Sequence, residues 1–189
     1  MKLLHLAFAG AIAFAAMMTP AAAQDEFLTI QLKDGPVVVK LASDAAPKHV
    51  AQIKSLAEKG AYDNVVFHRV IDGFMAQTGD VQFGKEGAKG FNPSRAGTGG
   101  SDLSDLPAEF SKTPFERGTV GMARSQDPNS ANSQFFIMFA EGPFLNGQYT
   151  VVGQVVSGME AVDKIKRGAG SNGEVTNPDK MIKVTVGQK

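Results

Sequence analysis

Phe67-His68-Arg69-Val70-Ile71-Asp72-Gly73-Phe74-Met75-Ala76-Gln77-Thr78-Gly79-Asp80 sets two short apolar runs on either side of an Asp-Gly pair, with an arginine in the first run and a glutamine in the second. Asp-Gly between β-rich runs is a hairpin signal. Two registers are open. A two-residue turn pairs Ile71 with Phe74 and sets Arg69 opposite Ala76, whereas a three-residue turn that includes Phe74 pairs Ile71 with Met75 and Arg69 with Gln77. The second is favoured: it leaves Phe74 at the bend and brings Arg69, Ile71, Met75 and Gln77 to one face, so that a cation, an amide and large apolar side chains converge. The plainer alternative is an edge hairpin whose arginine points into water.

Around this stretch the chain reads as one soluble domain: 189 residues, 43% hydrophobic and 20% charged, enough to bury a single core. Lys+Arg and Asp+Glu both number 19, so no long-range field favours nucleic acid or an anionic membrane. Residues 1–23 stand apart. Lys2 precedes an apolar run over residues 3–18 and then Thr19-Pro20-Ala21-Ala22-Ala23, the pattern of a cleaved signal peptide. The run is shorter than the ~20 residues needed to span a bilayer. The expected organisation is a signal peptide over 1–23 and a domain over 24–189, exported to the periplasm if the cell has two membranes. With no cysteine, disulfides, thiol nucleophiles and thiolate metal sites are excluded.

Phe27–Leu32 and Val37–Leu41 are β-rich runs separated by Lys33-Asp34-Gly35-Pro36, hairpin punctuation. Ser43-Asp44 then offers a helix cap, Pro47 suits a first turn, and Val50, Ile53, Leu56 and Ala57 recur at helical spacing until Gly60. Lys48, Gln52, Lys54, Glu58 and Lys59 mark the exposed side of this helix, where His49 is read as a surface residue. Residues 81–112, rich in Gly, Pro, Ser and Asp, form a long irregular segment, and such segments in compact domains are usually functional. Within it, Gly99-Gly100 permits close backbone approach to another surface. Further strands are expected over 118–123, 134–139, 149–156 and 181–186, with a short helix over 158–166. Many short strands with two helices imply a mainly β fold: a closed barrel capped by helices.

Three other chemistries find no support. Gly168-Ala169-Gly170-Ser171-Asn172-Gly173 matches the dinucleotide-binding glycine pattern but follows a helix rather than a strand, and reads as a flexible loop. No Gly-x-Ser-x-Gly elbow occurs, and after residue 23 only His49 and His68 could serve a hydrolase or a metal site.

The residues do resemble one known family, the cyclophilins, which are peptidyl-prolyl cis-trans isomerases. The resemblance covers nearly all of residues 27–186 and is carried by Phe67–Asp80, Gly97-Thr98-Gly99-Gly100, Ser133-Gln134-Phe135-Phe136-Ile137, and Leu145-x-Gly147 before Val151-x-Gly153. It implies a closed eight-stranded antiparallel barrel with two capping helices, a groove on the outer surface and no cofactor or metal. It places the catalytic arginine at Arg69 and the apolar pocket for the substrate proline at Phe74, Met75, Phe136 and Leu145. Gln77 and Gln134 fall on polar positions flanking the groove, and Ala123-Arg124 on the strand edge whose backbone binds the peptide. Phe144 and Tyr149 also fall on the groove, where many eukaryotic members have tryptophan and histidine; these two departures resemble the bacterial branch. The Arg124–Ser133 loop is one residue longer than in common eukaryotic members, which leaves Ser125 without an assigned role. The implied partners are proline-containing unfolded or partly folded polypeptides. No nucleic acid is expected, nor membrane attachment once the signal is removed, and the enzyme is expected to act as a monomer.

Two other functions compete with isomerisation. A module that only binds proline-rich segments needs the pocket but no cation beside it. A small-molecule carrier needs small residues lining the barrel interior, where this chain has Phe, Met, Ile and Val.

Overall fold

The computed structural model describes residues 25–188, so the signal expected over 1–23 lies outside them. Alternation builds the first hairpin. In β1 (Glu26–Leu32) and β2 (Gly35–Leu41), Leu28, Ile30 and Leu32 and then Val37, Val39 and Leu41 are buried while their neighbours face outward. Leu32 pairs with Gly35, so the turn is shorter than the four-residue punctuation suggests.

Helix α1 (Pro47–Glu58) begins at the expected proline and buries Val50, Ile53, Leu56 and Ala57. Its cap differs from expectation. Neither Ser43 nor Asp44 caps it; the N-cap is Ala46, which makes no side-chain bond. Instead the carboxylate of Glu109 accepts the backbone N–H groups of Lys48 and His49, each at 3.1 Å, and the Nδ1–H of His49 at 2.7 Å. His49 is therefore fully buried, not on the surface. Burial alone would raise the pKa of Glu109, but the bonds from the His49 ring and from the two backbone N–H groups outweigh it and hold the carboxyl below its ordinary value. Helical spacing could not reveal this, because the partner arrives 60 residues later from an irregular segment.

The remaining strands are β3 (Val65–Val66), β4 (Arg69–Ile71), β5 (Met75–Thr78), β6 (Thr119–Met122), β7 (Phe135–Met138), β8 (Val151–Ser157), β9 (Lys180–Met181) and β10 (Lys183–Gln188). Eight of the strands form one antiparallel sheet in the order β10-β1-β2-β8-β6-β7-β5-β4, and β3 pairs with β9. Helix α2 (Met159–Val162) is shorter than the 158–166 expected, although the turns after it still bury Ile165.

The sheet curls into a half-barrel instead of closing by continuous strand pairing, since β4 and β10 are its two edges. Irregular bonds tie the β4 edge to the segment after α2: Val70 donates to the carbonyl of Gly173 at 2.7 Å, and Val175 donates to the carbonyl of His68 at 3.2 Å. That segment contains Gly168, Gly170, Gly173 and Pro178, which suit turns and cannot sustain a full ladder. The glycine-rich stretch read as a flexible loop is thus hydrogen-bonded to β4.

Two apolar clusters share the sheet. The larger lies inside it under α1 and includes Phe67, Val70, Ala76, Val120, Phe135 and Ile137. The smaller lies on the outer face and consists of Met75, Phe115, Phe136, Met138, Leu145 and Val151, with Ile71, Phe74, Ala123 and Tyr149 packed at its rim.

Candidate active site

Strands β4 and β5 pair in the three-residue-turn register: Arg69 with Gln77, Val70 with Ala76, and Ile71 with Met75. The turn closes through the Phe74 N–H, which donates to the Ile71 carbonyl at 3.1 Å, and Gly73 takes the positive φ of 69° that the bend requires. The register fixes the consequence. Val70, Ala76 and Thr78 turn into the barrel, while Arg69, Met75 and Gln77 face outward.

Arg69 is held at two points by neutral oxygens. Its Nη1 donates to Gln77 Oε1 at 3.2 Å and its Nε to the carbonyl of Asn172 at 3.0 Å. Gln77 is itself fixed, because its Nε2 donates to Gln134 Oε1 at 3.0 Å. Gln134 Nε2 in turn donates to the carbonyls of Gly97 and Gly99, at 2.9 and 2.8 Å. Those two glycines are anchored by the buried carboxylate of Asp80, whose Oδ2 accepts their N–H groups at 2.7 and 2.9 Å and whose Oδ1 accepts those of Gln82 and Phe83 at 3.0 and 2.9 Å. A Cβ at position 99 would lie 2.6 Å from Asp80 Oδ1, so the close approach allowed by the glycine pair is used here. Each amide in this relay has one end that must donate and one that must accept, which sets both glutamine orientations.

Beside the relay opens a cleft of about 250 Å³ lined by Arg69, Phe74, Met75, Gln77, Ala123, Arg124, Phe136, Phe144, Leu145 and Tyr149. The sequence-predicted residues therefore meet in one place, except Gln134, which lines the adjoining cleft with Gly97, Thr98, Ala123 and Arg124. The apolar wall is firmly backed. Phe136 stacks on Phe115 with ring centroids 5.7 Å apart and meets Tyr149 edge-on at 5.8 Å, and Phe74 lies 5.5 Å from Phe144. Leu145 is positioned by a 3₁₀ turn over Pro143–Leu145. Phe144 forms the outer lip, 68% exposed. Arg124 is immobilised at the opposite end, with its guanidinium 4.5 Å over the Tyr149 ring and both Nε and Nη2 donating to the carbonyl of Gln148. Ser125 pairs with Ser130, 2.7 Å between hydroxyls, within the Arg124–Ser133 loop.

The sequence reading missed Asp80 and Asn172. Asp80 was legible in part, since an aspartate directly after a strand and a downstream stretch nearly free of side chains suit each other as anchor and loop. Asn172 contributes only its backbone carbonyl and left no residue signal.

The profile of the family described as cyclophilin type peptidyl-prolyl cis-trans isomerase/CLD matches residues 27–186. The chain belongs to this family of isomerases. Among relatives, a probable peptidyl-prolyl cis-trans isomerase from Brucella suis is 67% identical over 178 residues, covering 93% of this cyclophilin and 90% of the relative. Its fold matches a crystal structure of a Hirschia baltica cyclophilin with a TM-score of 0.69 at 24% identity, over 85% of this chain and 76% of that one. It also matches a Cryptosporidium parvum cyclophilin solved in the presence of the dipeptide Ala-Pro, with a TM-score of 0.72 at 24% identity, over 86% and 99% of the two chains.

Proposed function

We propose that this cyclophilin isomerises X-Pro bonds in unfolded or partly folded exported polypeptides, with Arg69 as the catalytic group and the outer apolar cluster as the proline seat. The observation that carries this reading is a guanidinium held, among the described residues, by neutral oxygens beside a cleft with an apolar wall of Phe74, Met75, Phe136 and Leu145. A carboxylate partner would neutralise Arg69, whereas Gln77 Oε1 and the Asn172 carbonyl orient it and leave its full charge available.

The peptide bond resists rotation by ~18–20 kcal/mol because of its double-bond character. Rotation becomes easier when the prolyl nitrogen turns pyramidal and its lone pair is drawn away from the carbonyl. Nη2 of Arg69, which makes no protein bond among the described residues, is the donor for that nitrogen. Phe74, Met75, Phe136 and Leu145 hold the proline ring while the preceding carbonyl swings, and Phe144 and Tyr149 form the rim. Ala123 and Arg124 present the strand edge along which the peptide lies, and Gln77 and Gln134 keep Arg69 aimed. Each tenfold acceleration asks for only ~1.4 kcal/mol of preferential transition-state binding. The Cryptosporidium relative solved in the presence of Ala-Pro is in keeping with a proline-containing ligand. In this reading the segment over 173–182 completes a closed barrel between β4 and β10, giving the cleft a rigid backing.

The exported location rests on the signal-peptide pattern of residues 1–23. Mass spectrometry of the natively produced protein is expected to give Gln24, free or cyclised, as the N-terminus; an intact Met1 on the exported form would overturn signal cleavage. For the catalytic assignment, a protease-coupled assay on a proline tetrapeptide compares the wild type with Arg69→Ala. The variant is expected to lose on the order of 10²–10³-fold in kcat/KM, with circular dichroism and melting unchanged. Arg69→Lys is expected to be impaired too, because an ammonium cannot reproduce the planar fork. Wild-type turnover by Arg69→Ala would refute the assignment.

A further inference from the structure

A second cleft, of about 710 Å³, shares Arg69 and Gln77 with the proline pocket and is nearly three times its size. Phe91 and Pro93, from the long irregular segment, line it together with Glu174 and Thr176 from the segment bonded to β4. The backbones of Glu174 and Arg69 pair across an isolated bridge, which places their side chains as cross-strand neighbours. The two nevertheless form no ion pair: the bonds of Arg69 run from Nε to the Asn172 carbonyl and from Nη1 to Gln77. The other carboxylate of this cleft, Glu86, is bound by Lys180. The carboxylate of Glu174 has no partner among the described residues, and its residue is exposed.

We propose that this cleft is an extended substrate subsite that takes a lysine or arginine side chain near the isomerised proline, with Glu174 as its counter-charge. The proposal rests on the proline occupying the pocket beside Arg69. Successive residues of an extended peptide advance by ~3.3–3.6 Å, so a side chain one to three positions from the proline reaches a group that neighbours Arg69. A lysine or arginine fits the chemistry of both walls. Its aliphatic stem lies on Phe91 and Pro93 while its charged head meets Glu174. An acidic side chain that reached Glu174 would meet a like charge there, while the Arg69 guanidinium on the same wall is directed to the proline.

The test uses heptapeptides with a central proline and a single Lys, Gln or Glu at each of the three positions on either side. The readouts are the Lys-to-Glu ratio of kcat/KM and the same ratio of Kd from calorimetry. At one or two positions the ratio is expected to be about fivefold in favour of Lys, the scale of a solvent-accessible ion pair. It should shrink as salt is added, fall to near one in Glu174→Gln and invert in Glu174→Lys. A flat ratio at every position, or one that survives in Glu174→Gln, would overturn the subsite. Failure of the wild type to turn over any neutral peptide would instead overturn the proposed catalytic reading, and the calorimetric ratio would still decide the subsite.

Discussion

Strand β7 serves two apolar clusters, and they differ in what covers them. Phe135 and Ile137 point inward, where α1 and the curled sheet enclose them. Phe136 and Met138, their alternating neighbours, point outward into a cluster backed by Phe115 and Val151 but left open at Phe74, Phe144 and Tyr149. The same two-residue period thus builds a core on one side and the wall of the candidate cleft on the other. The inner cluster is closed by the chain itself. The outer one is packed just deeply enough to hold its rim in place, which in the proposed function offers the proline an apolar surface already ordered.

The largest expected effect tests this division. Phe135→Ala opens a cavity in the enclosed cluster and is expected to cost ~3–5 kcal/mol in urea unfolding, a large share of the ~5–15 kcal/mol that holds a typical domain together. Phe144→Ala removes a ring that is 68% exposed and is expected to stay within ~0.5 kcal/mol of wild type while raising KM for a proline peptide. If Phe144→Ala destabilised the protein as much as Phe135→Ala, the outer cluster would be a second core and its role as a seat would need another basis.

The two faces were also unequally legible. The hairpin register, the strands and the apolar wall follow from alternation and turn chemistry, which act over a few residues; Asp72-Gly73-Phe74 leaves two registers open, and the convergence of Arg69, Ile71, Met75 and Gln77 on one face selects Arg69 opposite Gln77. What escaped depends on partners brought together by irregular chain. His49 is buried because Glu109 comes to it from the long loop, and α1 is capped by the same carboxylate. Arg69 is held from Asn172, 103 residues away, by a backbone carbonyl that any residue type could supply. The open edge of the sheet was hidden for a related reason: many short strands implied a closed barrel, whereas the segment between α2 and β9, read as a loop, makes only isolated bonds to β4.

A smaller effect depends on pH. His68 lies beneath Gly97, next to Arg69, and neither of its ring nitrogens has a hydrogen-bond partner among the described residues. Burial pushes its pKa down to about 4; the nearby charge of Asp80 works against that shift and that of Arg69 adds to it. The folded state therefore keeps His68 neutral where the unfolded chain, near 6.5, has begun to bind a proton. Its contribution is fully present above pH 6.5 and is lost as pH falls through the window to about 4, by up to ~3 kcal/mol. Urea midpoints at pH 7, 5.5 and 4 should show a steeper acid loss for wild type than for His68→Gln. Equal slopes would mean that His68 is as readily protonated when folded as when unfolded.

The smallest effect concerns the relay that joins the core to the wall. Asp80 is fully buried, yet through Gly97, Gly99, Gln134 and Gln77 it is connected by hydrogen bonds to Arg69 on the outer face. Asp80→Asn keeps the shape but replaces one carboxylate oxygen with an N–H₂ group, which cannot accept from the backbone donors it faces. The loop holding Gln134 should shift, Gln77 should lose its fixed orientation, and kcat should fall about tenfold, equivalent to ~1.4 kcal/mol of transition-state stabilisation. A stability loss alone could mimic this, so the informative measurement is a double-mutant cycle with Gln77→Ala, which cuts the relay nearer its end. If Asp80 acts through Gln77, adding Asp80→Asn to Gln77→Ala should leave kcat almost where Gln77→Ala put it. If the two losses multiply, Asp80 supports the fold by a separate route, and the orientation of Arg69 depends on Gln77 and Asn172 alone.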